Sequence, residues 1–311
     1  MKTKMKILIA YDGSSCADAA LDDLRRAGLP REAEAVVLSV ADVWMPPTSP
    51  SSERFVETAF AERVAATREK ARAEALQAVE EARALAVRAS ETVQALFPTW
   101  DVRAEACADS PAWAVIKKVD EWKPDLVVVG SHGRSALGRF LLGSVSQKVV
   151  TEAHCTVRIA RGGVAENTAP VRLVIGVDGS PDADAAVRTV AERVWPPGNE
   201  ARLIAVRDQA MATAVEWDTA GDAGAQSGAR TIVEAAAEKL RAAGLAVSSV
   251  VKEGDPKRVL IEEAEQWGAD CLFVGARGLR RIERFLLGSV STAVAARAHC
   301  SVEVVHPRQI T

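Results

Sequence analysis

One eight-residue segment, RFLLGSVS, occurs twice in the chain without a change, at 139–146 and at 284–291. The residues before it repeat too, because GSHG at 130–133 matches GARG at 275–278. Both pairs are separated by 145 residues (284 − 139 and 275 − 130). This period is far longer than the roughly 20 to 50 residues of solenoid repeats. The chain therefore contains two copies of one domain, and its fold must be one that each half can form.

The beginnings of the two copies match at a different spacing. ILIAYDGS at 7–14 resembles LVIGVDGS at 173–180, and Asp178 follows Asp12 by 166 residues. The second copy is therefore shorter by 21 residues (166 − 145) between its first strand and its glycine loop. The core of the repeat is preserved, and the difference is a shortened internal segment.

The length of 311 residues suits two ordinary domains. Residues 161–170, RGGVAENTAP, are polar and contain two glycines and a proline, which is typical of a linker. We expect one domain over 1–162 and a second over 170–311.

Within each copy, short apolar runs alternate with segments of helical periodicity. The predicted strands are 5–11, 35–40, 101–107, 125–130 and 156–160, then 171–177, 201–206, 246–252, 270–275 and 301–305. Helices are predicted from Ser14 to about Ala27, over 53–90, from Pro111 and from Ser144, with Asp18, Asp22 and Asp23 on the exposed side of the first. This order predicts an α/β fold of two tandem open doubly wound domains. Each would have a five-stranded, mainly parallel sheet with helices on both faces.

Open sheets of this class bind ligands beyond the carboxyl ends of their strands, where the strand order reverses. Several residues lie at predicted strand ends in matching positions of the two copies. They are Asp12, Val40 and Gly130 in the first copy and Asp178, Val206 and Gly275 in the second. The candidate site therefore lies at this edge of each sheet.

A glycine-rich loop follows the fourth strand of each copy, with the spacing G-x2-G-x9-G-S. Gly130 and Gly133 follow a buried strand, where the missing Cβ atoms allow a sharp turn and a close approach to a ligand. Gly143 and Ser144 open a helix whose first amides lack partners within the helix and attract an anion such as phosphate. Taken singly, a glycine after a strand is usually a turn and a serine before a helix is usually a cap. The complete spacing, present twice, favours phosphate binding. It matches neither the P-loop nor the dinucleotide fingerprint.

The G-2x-G-9x-G[ST] loop, the first strand ending in Asp-Gly-Ser and the closing Ala-His-Cys segment resemble the universal stress protein family, in its ATP-binding form. The resemblance covers both copies, apart from the linker and the segment 53–90. It implies a nucleotide-binding protein whose cofactor is ATP, with or without Mg²⁺. In this family the domains pair through their final strands. The resemblance thus implies a pseudo-dimer within the chain, and further assembly into a homodimer.

The resemblance also implies roles for individual residues. Asp12 and Asp178 would contact the ribose or a cation bound to phosphate, and Val40 and Val206 would bind adenine through their backbone. The ribose and phosphates would lie against Val129, Gly130, Gly133, Gly143, Ser144 and Val145 in the first copy. In the second copy the corresponding residues are Val274, Gly275, Gly278, Gly288, Ser289 and Val290. The loops depart from each other at Ser131-His132 and Ala276-Arg277, which leaves open whether the two pockets have equal affinity.

Other reactive side chains near the loops allow two interpretations. Arginines after the loops could pair with phosphates or lie on a solvated surface: Arg134, Arg139, Arg280, Arg281 and Arg284. His132 could contact phosphate or be merely exposed. His154 and His299 each precede a cysteine, but two ligands per copy are too few for a metal site, so we interpret both as structural. The five cysteines are scattered, which is typical of small core residues in a reducing compartment.

The charge balance and the absence of a catalytic group narrow the function. A net charge of −3 without a basic stripe argues against nucleic acid, and no segment has the length of a membrane span, so we expect a cytoplasmic protein. No paired base and nucleophile and no Walker-type lysine accompany the loop. The leading hypothesis is an ATP-binding stress-response protein with a regulatory role, at most a slow ATPase. The alternatives are a nucleotidyl transferase or phosphatase, and a dimerisation or adaptor module with weak or no nucleotide binding.

The proline-rich stretch 42–52 and the helical segment 53–90 have no counterpart of equal length in the second copy. They are candidates for a partner-binding or lid element, and the protein partner itself is not predicted by the sequence.

Overall fold

The computed structural model describes residues 4–45, 58–133, 142–161, 169–207, 221–278 and 287–307. The first copy runs β1 (Met5–Ala10), α1 (Ser15–Asp23), β2 (Ala33–Ala41), α2 (Thr58–Leu96), β3 (Asp101–Ala108), α3 (Pro111–Trp122), β4 (Leu126–Gly130), α4 (Ser144–Glu152) and β5 (Thr156–Ala160). A single 3-10 turn, Leu24–Arg26, extends α1.

The second copy repeats this order. It runs β6 (Arg172–Gly176), α5 (Pro181–Glu192), β7 (Glu200–Arg207), α6 (Gly221–Ala242), β8 (Ala246–Glu253), α7 (Pro256–Trp267), β9 (Cys271–Gly275), α8 (Ser289–Arg297) and β10 (Ser301–Val305). All ten predicted strands are present, and their bounds differ from the predicted ones by at most two residues.

The strands form one continuous sheet in the order β3-β2-β1-β4-β5-β10-β9-β6-β7-β8. All neighbours are parallel except β5 and β10, which are antiparallel. The predicted doubly wound sheets are therefore confirmed, and their last strands join them edge to edge. In each half the strand order reverses at the first strand, so β1 lies between β2 and β4 and β6 lies between β7 and β9.

Helices cover both faces of the sheet, and the two faces are organised differently. On one face, residues of α3 and α4 from the first copy and of α7 and α8 from the second belong to a single hydrophobic core. On the other face, α1 and α2 cover the first half and α5 and α6 cover the second, each with a separate core. The shared core makes the two halves one packed body on that face.

A buried ion network crosses the joint between β5 and β10. Arg158 lies opposite Glu303 in the antiparallel register, and its Nη1 donates to Glu303 Oε2 at 3.1 Å. Arg158 Nε also donates to Asp23 Oδ2 at 2.5 Å, and Arg193 donates to the other carboxylate oxygen of Glu303. Arg158 and Glu303 are at most 1% exposed, and charges this deeply buried require such partners.

The expectation for one acidic residue is wrong. Asp23 was predicted on the exposed side of α1, but it is only 8% exposed. It faces Arg158, and Ser301 of the other copy donates to it at 2.8 Å. The joint between the copies buries a helix position that would face water in an isolated domain.

A second contact between the copies lies at the end of α1. Gly28 has φ +63°, and a Cβ atom there would lie 2.8 Å from the ring of Trp195. Val194 N donates to Gly28 O at 3.0 Å, and Arg193 Nη1 donates to Ala27 O at 2.6 Å. Gly28 and Val194 are equivalent in the repeat (194 − 28 = 166), so equivalent segments contact each other across the pseudo-twofold axis.

The long helix of the first copy differs in extent from the prediction. Of the predicted segment 53–90, the residues before Thr58 lie outside the described ranges, as does most of 42–52. At the other end, α2 continues to Leu96 because Val93 is fully buried and the chain has no helix breaker before Pro98. With 39 residues α2 is much longer than α6, which has 22. No helix in the described part of the chain is long and apolar enough to cross a membrane.

Candidate functional site

The end of β1 and the glycine loop after β4 meet at one point. Asp12 Oδ1 accepts from Ser14 N at 3.0 Å, which fixes the turn between β1 and α1. Its other oxygen faces Gly133, where a Cβ atom would lie 2.9 Å from Asp12 Oδ2. Any side chain at position 133 would displace the carboxylate. The structure thus brings together two of the predicted site residues and explains why the second loop position is glycine.

The first loop glycine serves helix packing. A Cβ atom on Gly130 would lie 2.9 Å from Cys16 O, in the first turn of α1. Ser14 caps that helix by accepting from Ala17 N at 3.2 Å. The backbone of α1 therefore lies directly against the end of β4 and closes one side of the site.

The start of α4 closes the loop. The helix begins at Ser144, as predicted, and its N-cap is Gly143, which has no side chain that could accept from the first amides. Its own N–H donates to Ser131 O at 2.8 Å, and Ser146 Oγ donates to Gly130 O at 2.6 Å. Because these bonds hold the helix end against the loop without using a capping side chain, the N-terminus of α4 retains its attraction for an anion.

The predicted valines lie at the same edge, with their side chains directed into the core. Val129 and Val274 are 2% and 3% exposed, and so only their backbone can face a ligand. Four others are partly buried and pack against the same shared core: Val40, Val145, Val206 and Val290. This placement suits the backbone contacts that the family resemblance implies.

The second copy reproduces this arrangement closely. Asp178 Oδ1 accepts from Ser180 N at 2.9 Å, and a Cβ atom on Gly278 would lie 2.9 Å from Asp178 Oδ2. Gly275 is packed even more tightly, because its Cβ would lie 2.5 Å from the carbonyl carbon of Asp182. Gly288 is the N-cap of α8 and donates to Ala276 O at 2.8 Å, with Ser289 as the first helical residue.

The two sites differ in the residues behind the loop. In the second copy Asp182 is 1% exposed, and its Oδ2 accepts from Arg277 N at 3.1 Å and from Arg277 Nε at 3.0 Å. In the first copy the equivalent residues are Cys16 and His132 (182 − 16 = 166; 277 − 132 = 145). The sequence showed the His132/Arg277 difference, but no local pattern marked Asp182 as its buried partner.

Histidine and arginine are exchanged between the loops and the strand ends. The first copy has His132 in the loop and Arg161 after β5, whereas the second has Arg277 in the loop and His306 after β10 (306 − 161 = 145). Burial, with Arg161 adding to it, lowers the pKa of His132. Burial and the nearby Arg277 lower the pKa of His306 to about 4. Both histidines are therefore neutral at pH 7.

The remaining arginine and histidine side chains considered from the sequence lie at the surface or outside the described residues. Arg134, Arg139, Arg280, Arg281 and Arg284 lie outside the described residues. His154 is exposed, and His299 lies 3.8 Å from Glu265 at the surface. Within the described ranges no three histidine, cysteine or acidic side chains are grouped as metal ligands would be. Cys271 is buried and the other four cysteines are half-buried.

The family model for the universal stress protein family matches residues 4–161 and again 171–306. A universal stress protein of Mycobacterium tuberculosis is 32% identical over 210 residues, 65% of this chain and 68% of that protein. One from Mycobacterium bovis is 29% identical over 323 residues, 97% of this chain and 95% of that protein. Both copies are therefore covered by relatives with the same description.

A solved structure shows the same fold over both copies. A universal stress protein from Archaeoglobus fulgidus aligns with 98% of this chain and 97% of its own, with a TM-score of 0.58 at 19% identity. Two solved universal stress proteins align with 45% of this chain. One is in complex with cAMP (27% identity, TM-score 0.33) and one, from Arabidopsis thaliana, has AMP bound (20%, 0.34).

Proposed function

The chain belongs to the universal stress protein family, and on that premise we propose that each of its two copies binds ATP, with or without Mg²⁺, as a regulatory protein. One observation carries the proposal. In both copies the same glycine lies so close to the same aspartate that a Cβ atom would be 2.9 Å from the carboxylate. Any other residue there would displace the carboxylate, so glycine keeps the loop backbone and the carboxylate side by side, where both can contact a ligand.

The residues present suit the parts of a nucleotide. Asp12 and Asp178 would accept hydrogen bonds from the ribose hydroxyls or hold a cation on the phosphates. The phosphates would lie at the amino ends of α4 and α8, where the glycine N-caps leave the first amides without a capping side chain. Adenine would pair with the backbone at Val40 and Val206, whose side chains pack into the core.

Two substitutions test both sites separately. Gly133→Leu and Gly278→Leu should each remove one of two ATP-binding sites, because the new side chain would collide with Asp12 or Asp178. Isothermal titration calorimetry, with mass spectrometry of nucleotide released from the purified protein, would give the stoichiometry. Gly228→Ala is the matched control, because a Cβ atom there meets nothing within 4 Å.

The outcomes separate the proposal from its alternatives. A stoichiometry falling from two to one in each variant and to zero in the double variant supports it. Wild-type protein without bound or titratable nucleotide would instead favour a dimerisation or adaptor role. ADP formed from bound ATP in a single-turnover assay would add a slow ATPase activity to the binding role. A cytoplasmic location and a homodimer of chains belong to the same proposal. Cell fractionation and light scattering test these two points.

A further inference from the structure

We propose that Asp182 is a positioning residue that holds Arg277 toward the phosphates of a bound nucleotide, so that the second site prefers ligands with more phosphates and the first does not. This inference rests on the proposed nucleotide binding. It adds that the two sites of the chain differ in ligand preference.

Arg277 lies between the two elements that would hold the phosphates. A Cβ atom on the next residue, Gly278, would lie 2.9 Å from Asp178 Oδ2, and a Cβ atom on Gly288 would lie 3.4 Å from Arg277 Cα. Gly288 is the N-cap of α8. The side chain of Arg277 therefore leaves the backbone beside the helix end that attracts an anion.

Asp182 limits where that side chain can go. It lies in the first turn of α5, where the helix dipole stabilises its charge, and its side chain is 2% exposed. One of its oxygens binds both the backbone N–H and the Nε of Arg277. Arg277 is thus held at its backbone N–H and at Nε, and its side chain remains 29% exposed. Because the carboxylate is buried and the arginine side chain is partly exposed, a ligand at the loop could contact Arg277 but not Asp182.

The first copy lacks this device. Cys16 replaces the aspartate, and Ser131 Oγ lies 3.1 Å from His132 Nδ1 and 3.9 Å from Cys16 Sγ. Arg161, which takes the place of His306 in this copy, donates to Ala295 O at 2.6 Å, near the end of α8. The described part of the first loop thus presents a neutral histidine where the second presents a fixed cation.

This difference predicts that the affinity of the second site depends more strongly on the number of phosphates in the ligand. An arginine pairs with phosphate through charge-assisted bonds, and one such bond changes affinity by about tenfold or more. AMP places a single phosphate at the site and ATP places three. The ratio of ATP to AMP affinity should therefore be larger at the second site.

The experiment isolates one site at a time in the full-length chain. In a Gly133→Leu background, calorimetry with ATP and with AMP measures the second site alone. Arg277→His should lower ATP affinity by about tenfold and AMP affinity by much less. Asp182→Asn should also lower the ratio of ATP to AMP affinity, although Asp182 touches no ligand. Arg277→Lys should keep part of the ratio that Arg277→His loses, since lysine keeps the charge without the fork.

A reciprocal transfer provides a gain of function that does not depend on a damaged variant. In a Gly278→Leu background, Cys16→Asp with His132→Arg should raise the ATP to AMP ratio at the first site. An unchanged ratio in Arg277→His and in the transferred pair would overturn the inference while leaving nucleotide binding intact. The absence of binding in the wild-type protein would instead overturn the proposed function.

Discussion

The two copies keep the same pocket frame and differ in the charges placed around it. A Cβ atom on Gly133 or Gly278 would lie 2.9 Å from the carboxylate of Asp12 or Asp178, and both final helices begin at a glycine N-cap. Beside this frame Cys16 is replaced by Asp182, and at the joint between the copies Arg158 is replaced by Glu303. Backbone geometry is therefore conserved within the duplication, and side-chain charge is where the copies have separated.

The location of a residue that differs between the copies determines which part of the molecule it affects. Arg158 and Glu303 are equivalent residues that face each other near the pseudo-twofold axis, so their opposite charges bind the two copies together. At the second loop, Arg277 binds Asp182 of its own copy. A change near the axis thus affects the joint, and a change at a loop affects one site only.

Breaking the joint should have the largest effect. Glu303→Gln leaves Arg158 and Arg193 without the charge that both of them bind, in a region that water does not reach. We expect a loss of about 3 to 5 kcal/mol in the free energy of unfolding, measured by urea denaturation. Glu74→Gln is the control, because it removes an exposed pair with Lys70 and should cost less than about 1 kcal/mol. Similar midpoints for the two variants would show that the buried charge is dispensable.

The exchanged histidine gives a pH dependence to the second copy. His306 is held neutral with a pKa of about 4, near Arg277, Asp182 and His154, whereas in the unfolded chain its pKa is ordinary. Between pH 6.5 and 4 the unfolded state binds more protons, so stability falls as the pH falls, by about 3 kcal/mol for a shift of this size. His306→Gln should flatten this part of the stability curve, and His299→Gln at the surface should not. A curve unchanged by His306→Gln would contradict the assignment.

The smallest of these effects concerns the contact between Gly28 of the first copy and Trp195 of the second. Gly28→Ala places a Cβ atom at positive φ and against the ring of Trp195. Gly244→Ala has a comparable φ of +87° with nothing within 4 Å, so it measures the backbone strain alone. We expect a cost of about 1 kcal/mol for Gly244→Ala and about 2 kcal/mol for Gly28→Ala. Equal thermal shifts would mean that the Trp195 contact adjusts freely.

Local and repeated features of the molecule were predictable from the sequence. The ten strands follow from short apolar runs bounded by turns, and the loop geometry follows from glycines whose spacing occurs twice. Both signals depend on a few neighbouring residues. The end of α2 was placed six residues too early, because a sequence pattern does not show that Val93 packs into the core.

Features that depend on distant residues could not be read in this way. Asp23 has the pattern of an exposed helix position, and its burial requires Arg158 and Ser301, which lie 135 and 278 residues away in the chain. The pairing of Asp182 with Arg277 spans 95 residues. The sequence shows that His132 is replaced by Arg277, but it does not show that Arg277 binds a buried carboxylate.

The antiparallel joint has a further consequence for communication. Because β5 and β10 run in opposite directions, the carboxyl edge of one half lies beside the amino edge of the other, and the two loops open toward opposite rims of the sheet. A partner that docks over one loop leaves the other uncovered. If both copies bind nucleotide as proposed, the chain would have four states of occupancy, with one site at each rim of the sheet.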